Sequence, residues 1–401
     1  MSEALLVPNQ SHSAAPSALG YLYQSQWPLV EIVRRSSDRP DLELAIELYD
    51  DVSWEQDGTP LELLQLKHHL NSARALGDKD PDLWRTIASW MDVHPTGDAD
   101  GPTLTLVTTQ TAAAGTACAA LGADVKNAVE AKRLLEVAAG ESAADATSAA
   151  RARFLALSDA QRSIFVGRMV VLHGASLIGD LDGELRKLLH MALPRGHEDV
   201  FVERLWAWWY RIVVGLLQGV AKTISALEVS QHISDLRDQF TIDNLPTLVD
   251  RDDFDPATEG TYSGRAFVEQ LRWISFTNTL LQKAIVDYYR AYTQSAKWIE
   301  DHLVGLNELD AFEDNLKDEW QRAFEFMILR LGDEATPERI STEGQALFRQ
   351  VTEQSEVRVR DRYSEVFFTR GKYHELADDG RVGWHPEFEQ RLKDLLLGQA
   401  S

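Results

Sequence analysis

The stretch that most constrains the fold spans residues 41–70 and reads DLELAIELYDDVSWEQDGTPLELLQLKHHL. Apolar and polar residues alternate at its start, and this period of two predicts a half-buried strand. The apolar members are Leu42, Leu44, Ile46 and Leu48. Residues 52–55 and 61–68 have the character of two more strands, and the Asp-Gly turn between them favours an antiparallel hairpin. The stretch therefore predicts three consecutive strands of one sheet.

Polar residues of the same stretch have a spacing that suits chemistry. Side chains two apart on a strand share a face, so Gln65 and Lys67 are expected to lie side by side. Pairing across the turn could bring Asp51 close to both. Carboxylate and amide oxygens are ligands for Mg²⁺, and an ammonium can stabilise developing negative charge. This combination predicts hydrolysis of phosphodiesters.

Two features of this site stay open from the residues alone. Asp50 and Asp51 are adjacent, and if both are in extended chain only one of them points into the site. The competing structural interpretation is an edge hairpin in which Lys67 is solvated and the acids end a strand.

Asp51 followed by Gln65-x-Lys67 resembles the active-site signature of the PD-(D/E)xK restriction-endonuclease fold, in the variant where Gln replaces the second acid. The segments GYLYQ (20–24), ELYDDV (47–52) and LQLKHH (64–69) narrow the resemblance. They are similar to the nuclease domain of CD-NTase-associated effector nucleases, which is also found in the effector subunit of Lamassu-type, ABC three-component antiphage systems. The segment DYYRAYTQSAKW (287–298) resembles the C-terminal domain of such subunits.

The resemblance implies a Mg²⁺-dependent endonuclease that cuts double-stranded DNA. Asp51 and Gln65 would be the metal ligands, and Lys67 would stabilise the nucleophile or the transition state. The resemblance favours Asp51 over its neighbour because the family's acid precedes a hydrophobic strand residue, here Val52. Three further site candidates are Asp50, Glu47 and Gln24.

The same resemblance implies partners. Similar effectors are held inactive by an SMC/Rad50-like ATPase subunit and a small middle subunit, and they act after release and self-assembly into a homo-oligomer. With a net charge of −23, the chain lacks the excess of basic residues that is typical of a protein that binds nucleic acid by itself. Metal ions that offset acids, a local basic cluster or assembly of several subunits would each reconcile this charge with DNA binding.

The expected organisation is an α/β nuclease domain followed by a mainly α-helical part. Its predicted segments are a mobile leader (1–18), the PD-(D/E)xK domain (19–111), a helical linker region (112–199) and an α-helical assembly or partner domain (200–401). A single cysteine fits a reducing cytoplasm. Residues 205–221, the best candidate for a membrane span, are short and interrupted by Arg211, so we predict a buried helix and no membrane contact.

Two functions of other classes compete with the nuclease. One is a non-catalytic adaptor in which the nuclease fold survives as a scaffold. The other is a purely helical interaction protein with a fortuitous hairpin. The tryptophans at positions 206, 208 and 209 are interpreted as core residues because few basic residues interleave with them.

Overall fold

The computed structural model describes residues 14–69, 75–141, 145–332 and 335–399. The chain divides into two compact units. The N-terminal unit is the chain up to Leu193 together with Phe201–Asp235, and the C-terminal unit is Pro194–Val200 together with the chain from Leu236 onward. Most of the predicted leader lies outside the described residues. Its last residues are helical, because the first helix begins at Ala15.

A six-stranded mixed sheet is the centre of the N-terminal unit, with the strand order β5-β4-β3-β2-β1-β6. The three parallel strands β3, β4 and β5 form one side, and β2, β1 and β6 continue it with antiparallel pairing. The strands are β1 (Glu43–Ile46), β2 (Val52–Gln56), β3 (Thr59–Lys67), β4 (Thr103–Thr108), β5 (Met169–His173) and β6 (Ile224–Ser225). This sheet excludes the purely helical interaction protein.

The predicted hairpin is confirmed. β2 and β3 pair with Gln56 opposite Thr59, and the two turn residues Asp57 and Gly58 have φ values of 50° and 74°. A two-residue turn with positive φ at both positions matches the twist of the strands, which is why Asp-Gly is favoured there. β1 is shorter than predicted, since it ends at Ile46, and residue 70 lies outside the described residues.

The region from 112 to 199 is more than a helical linker. The apolar residues Ile164, Met169 and Leu172 predict one continuous helix, but the helix ends at Arg168 and the next five residues form β5. A short apolar run fits a buried strand as well as a helix, and pairing with β4 decides between them. The sequence likewise predicts a helix over residues 223–240, but this segment begins with β6, which pairs with β1. The predicted boundary at residue 200 is therefore also displaced.

Helices cover both faces of the sheet. On the face of Leu63, Leu104 and Val171, one continuous core joins the sheet to five helices. These are α2 (Pro81–Val93), α3 (Ala117–Ala120), α4 (Ala128–Glu141), α5 (Ser148–Ala156) and α6 (Asp159–Arg168). The other face is covered by α1 (Ala15–Arg35), whose Arg35 lies over the Trp54 ring at 4.6 Å. With α1 pack α7 (Leu181–Leu188) and α8 (Glu198–Leu217).

The aromatic helix α8 has the predicted core tryptophan. Trp209 is fully buried and its Nε1 donates to the carbonyl of Ser25 on α1, at 2.7 Å. Trp206 and Trp208 are only half-buried, and Trp208 stacks on His232 with ring centres 4.0 Å apart. The core interpretation therefore holds fully for Trp209 and in part for its two neighbours.

The C-terminal unit is helical. Its helices are α10 (Glu259–Tyr262), α11 (Ala266–Trp273), α12 (Asn278–Glu300), α13 (Leu306–Leu331), α14 (Pro337–Glu353), α15 (Val366–Asp378) and α16 (Phe388–Gln399). The helix α9 (Ala226–Asp238) precedes them, and its residues up to Asp235 belong to the N-terminal unit. The amphipathic pattern over residues 265–302 predicts one long helix, but the structure breaks it at Ser275, where φ is 62°. The short connection over residues 304–306 predicts that α12 and α13 pack as an antiparallel pair. This prediction is wrong, since α12 packs mainly along α15 and α13 along α14. Among the described residues, no helix has the length and apolar character needed to cross a bilayer.

A buried histidine in α15 predicts sensitivity of the C-terminal unit to acid. Burial and nearby Arg370 lower the pKa of His374 to about 3, so between that value and about 6.5 the unfolded chain binds a proton that the folded chain excludes. Stability is therefore lost as the pH falls through this window, by about 2 kcal/mol between pH 6.5 and pH 5. Comparing urea unfolding of the wild type and His374→Phe at both pH values isolates this contribution. An equal loss in both proteins would contradict the prediction.

Candidate functional site

The sheet brings Asp51 and Gln65 together. The pairing of β2 with β3 ends at Val52, which lies opposite Leu64. The next available backbone N–H group on β3 is that of Leu66, and it therefore has no partner on β2. The Asp51 carboxylate takes that place, with Oδ2 accepting from the Leu66 N–H at 2.8 Å. Its Oδ1 accepts from the Gln65 amide nitrogen at 3.2 Å. Strand register therefore places the acid and the amide next to each other.

Asp50 reaches the same amide. Gln65 Nε2 donates to Asp50 Oδ1, and Trp90 Nε1 on α2 donates to Oδ2 at 2.9 Å. The expectation that only one of the adjacent aspartates faces the site holds for extended chain and does not apply here, because residues 47–51 form a bend. Trp90 was missed as a site residue because, in the sequence, it only continues the apolar stripe of its helix.

The acids of this bend crowd one another. Burial raises the pKa of Asp50 above its usual range and Asp51 adds to this, while donation from Gln65 and Trp90 lowers it. Burial also raises the pKa of Glu47, and the charges of Asp51 and Asp50 raise it further. Glu47 adopts a positive φ of 56°, which ends β1 and turns the chain toward the aspartates.

The electrostatics suit a divalent cation. Within the described residues, no lysine or arginine forms an ion pair with Asp50, Asp51 or Glu47. The negative charges of these carboxylates repel one another. A nearby positive charge would offset this repulsion and favour the charged forms. The three acids therefore have no ion-pair partner among the described basic residues.

The ligand set is small but compatible with Mg²⁺. The described residues contain no group of three His, Cys, Asp or Glu side chains placed to hold a metal. Asp50, Asp51 and Gln65 offer two carboxylates and one amide, and Mg²⁺ commonly keeps several waters beside one or two carboxylates. The amide nitrogen of Gln65 faces the acids, so Oε1 would face a cation only after a half-turn of the amide.

Two predicted site residues stand apart from the acids. Lys67 shares the sheet face of Gln65, about 7 Å further along the strand. Lys67 is partly buried, and in the described chain no hydrogen bond or ion pair joins it to either aspartate. Gln24 belongs to α1, whose Arg35 donates to Glu62 at 2.8 Å and so marks the opposite face of β3. The structure therefore groups Asp50, Asp51 and Gln65 and places Lys67 further along the same face, and among the described residues Gln24 forms no hydrogen bond with them.

Titration with Mn²⁺ or Mg²⁺ tests the cation site. We expect Asp51→Asn to weaken binding at least about tenfold, because a carboxylate that would contact the ion is lost. The affinity for the ion should fall as the pH drops, because protons compete with the metal for Asp50. Since the pKa of Asp50 is raised, this loss of affinity should begin at a higher pH than for an ordinary aspartate. Calorimetry at pH 7.5 and pH 5.5 measures both effects.

The matched control for this titration is Asp57→Asn, which removes the same charge from the exposed β2–β3 turn. This variant should bind the ion as the wild type does. Unchanged affinity in Asp51→Asn would show that the aspartates hold no metal.

Comparison with known proteins found a similarity in the C-terminal part of the chain. Residues 267–392 match a family model described as C-terminal domain 7 of the ABC-three component (ABC-3C) systems. The matched stretch covers less than half of the chain, lies within the C-terminal unit and does not reach Asp50, Asp51 or Gln65. Searches of curated proteins and of solved structures gave no significant match. The C-terminal unit is therefore similar to a domain of multi-subunit ABC-three component systems.

Proposed function

We propose that this chain is the effector subunit of a Lamassu-type ABC-three component antiphage complex and acts as a Mg²⁺-dependent endonuclease on double-stranded DNA. The observation that carries the catalytic part is the meeting of Asp50, Asp51 and Gln65 on the sheet face that also holds Lys67. The similarity of residues 267–392 to an ABC-three component domain supports the assignment to a defence complex.

Each site residue has a role in this proposal. Asp51, Asp50 and Gln65 hold the ion, which when bound supplies a Lewis acid beside the scissile phosphate. Trp90 donates to Asp50 and fixes the orientation of that carboxylate. Lys67 stabilises the negative charge that develops at the phosphate or on the attacking water. The proposal gives Gln24 no contact with the reacting atoms.

The acidity of the chain makes assembly part of the proposal. With a net charge of −23, an isolated subunit repels the DNA backbone, whose phosphate contacts normally dominate affinity. Partner subunits, an SMC/Rad50-like ATPase and a small middle subunit, hold the effector inactive. Release then allows homo-oligomers in which several subunits share one stretch of DNA.

Plasmid cleavage measured against protein concentration tests this function. Purified full-length chain with Mg²⁺ should cut with a rate that rises more steeply than in proportion to concentration, and the partner subunits should suppress it. A rate proportional to concentration at high dilution would contradict assembly control. Absence of cleavage at every concentration, with and without the partners, would contradict the nuclease itself.

One observation favours a second candidate, a catalytically inactive scaffold. All four carboxylate oxygens of Asp50 and Asp51 already accept hydrogen bonds from the protein, and Asp51 completes the bonding of the β3 backbone. The acids could then serve only to end β2 and to anchor α2. This scaffold candidate predicts that Asp51→Asn lowers the free energy of unfolding. It also predicts that neither the wild type nor any variant cuts DNA.

A further inference from the structure

A cavity of about 360 Å³ lies within the C-terminal unit. Its walls come from α12, α14 and α15 and from the segment around Arg251. This volume is in the range of small-molecule sites, which start at roughly 300 Å³. Phe276, Leu280 and Phe348 supply apolar wall, and Phe276 meets Phe348 edge to face with ring centres 4.9 Å apart. The cavity therefore has both the size and the aromatic surface of a ligand site.

The walls also carry an excess of positive charge. Four bases line the cavity against two acids, Asp287 and Glu353. The bases are Arg251, Lys283, Arg290 and Arg370. Arg370 is neutralised, because its Nε donates to Asp287 at 2.8 Å. Among the described residues the other three bases have no carboxylate within ion-pair distance, although the chain as a whole carries a net charge of −23.

Arg290 shows that these bases are positioned. Its guanidinium lies 3.6 Å from the centre of the Phe367 ring and donates to the carbonyl of Val249 at 3.1 Å. A guanidinium held by a ring and a carbonyl keeps its full charge and loses little entropy when an anion binds. Arg251 and Lys283 are exposed at the cavity and complete the basic set.

A buried polar group in the wall lacks a partner. The side chain of His374 is only 1 % exposed, and within the described chain its Nδ1 has no hydrogen-bond partner. Burial keeps the ring neutral by lowering its pKa to about 3. An unpaired buried polar atom costs free energy, so a bound molecule that forms a hydrogen bond with Nδ1 would remove that cost. A packing defect would be lined by hydrocarbon and would not gather bases and an unpaired imidazole.

We propose that this cavity binds a small organic anion in which a phosphate or carboxylate is attached to a planar ring. The anionic group lies between Arg251 and Lys283, with Arg290 beside it. The ring lies against Phe276 and Phe348. This site is separate from the proposed nuclease chemistry and does not depend on it.

Calorimetric titration of the full-length chain with phenyl phosphate and with benzoate tests the site. At least one of the two should bind once per chain, and the better of them shows whether a phosphate or a carboxylate is preferred. Lys283→Glu and Arg251→Glu should each weaken binding at least about tenfold, the loss of one charge-assisted contact. Lys317→Glu makes the same charge change on the exposed surface of α13 and should bind as the wild type does.

Three results would overturn the proposal. The first is that neither aromatic anion binds at millimolar concentration. The second is equal binding by the wild type and the Arg251→Glu, Lys283→Glu double variant. The third is that benzyl alcohol, which lacks the charge, or inorganic phosphate, which lacks the ring, binds as tightly as the aromatic anions.

Discussion

Replacing Lys67 with alanine is expected to lower plasmid cleavage at least about 100-fold, the effect of removing one group that stabilises charge in a transition state. The free energy of unfolding should change little, because Lys67 lies at the end of β3 and in the described residues it is joined to neither aspartate. Single-turnover cleavage with saturating Mg²⁺ measures the rate, and urea denaturation measures the stability.

Two variants make the Lys67 result specific. Lys79→Ala removes a lysine of the same unit whose ion pair with Glu141 is exposed and so contributes little. This variant should cut at the wild-type rate. Lys67→Arg keeps the charge and should retain more activity than the alanine variant. Equal cutting by wild type and Lys67→Ala would remove Lys67 from the mechanism, and no cutting by either, with or without partner subunits, would favour the scaffold.

Replacing Gly371 with alanine is expected to destabilise the C-terminal unit by about 3 kcal/mol, near the upper end of the usual cost of overpacking. Gly371 is on α15 at its approach to α12, and an added Cβ would lie far inside van der Waals contact with the Asp287 carbonyl oxygen and the Ala291 Cβ. Backbone and a buried Cβ cannot move aside as a flexible side chain can. Hydrogen exchange of peptides from α12 and α15 should report the loosening directly.

The control for Gly371 is Gly260→Ala, a helical glycine of the same unit with open space where the Cβ would be. Glycine is a poorer helix former than alanine, so this change should be neutral or slightly stabilising. Wild-type exchange rates in α12 and α15 of the Gly371→Ala protein would show that the two helices do not pack as the structure describes.

Much of the site's scaffold was predictable from the sequence. The Asp-Gly turn is at its predicted place, and so are the amphipathic helix that the sequence predicts from Asp80 to Val93 and the strand that it predicts over 104–108. The alternation in β1 predicts a half-buried strand, but Leu44, Ala45 and Ile46 are all buried and Leu48 is exposed. The adjacency of Asp51 and Gln65 follows from the same hairpin, because a short turn fixes which residues lie opposite each other. These features depend on residues close together in the chain.

Other parts of the site were beyond sequence reasoning. Trp90, from a helix 40 residues away in the chain, donates to Asp50 and so helps to orient that carboxylate at the amide. The helix α1 packs on the second face of the sheet, and in the described chain its Gln24 forms no hydrogen bond with the acids, although the family resemblance groups them. Neither relation has a local signature, since each depends on how a helix packs on the sheet.

The sequence by itself determined the hairpin, its register and the acid beside the amide, because turn geometry and the two-residue period of a strand are set by neighbouring residues. Only the tertiary structure decided that β5 and β6 join the sheet, that both aspartates face Gln65 and that bases meet around a cavity in the C-terminal unit. The physical reason is that strand pairing, helix packing and unpaired charge depend on contacts between residues far apart in the chain, which local pattern does not encode.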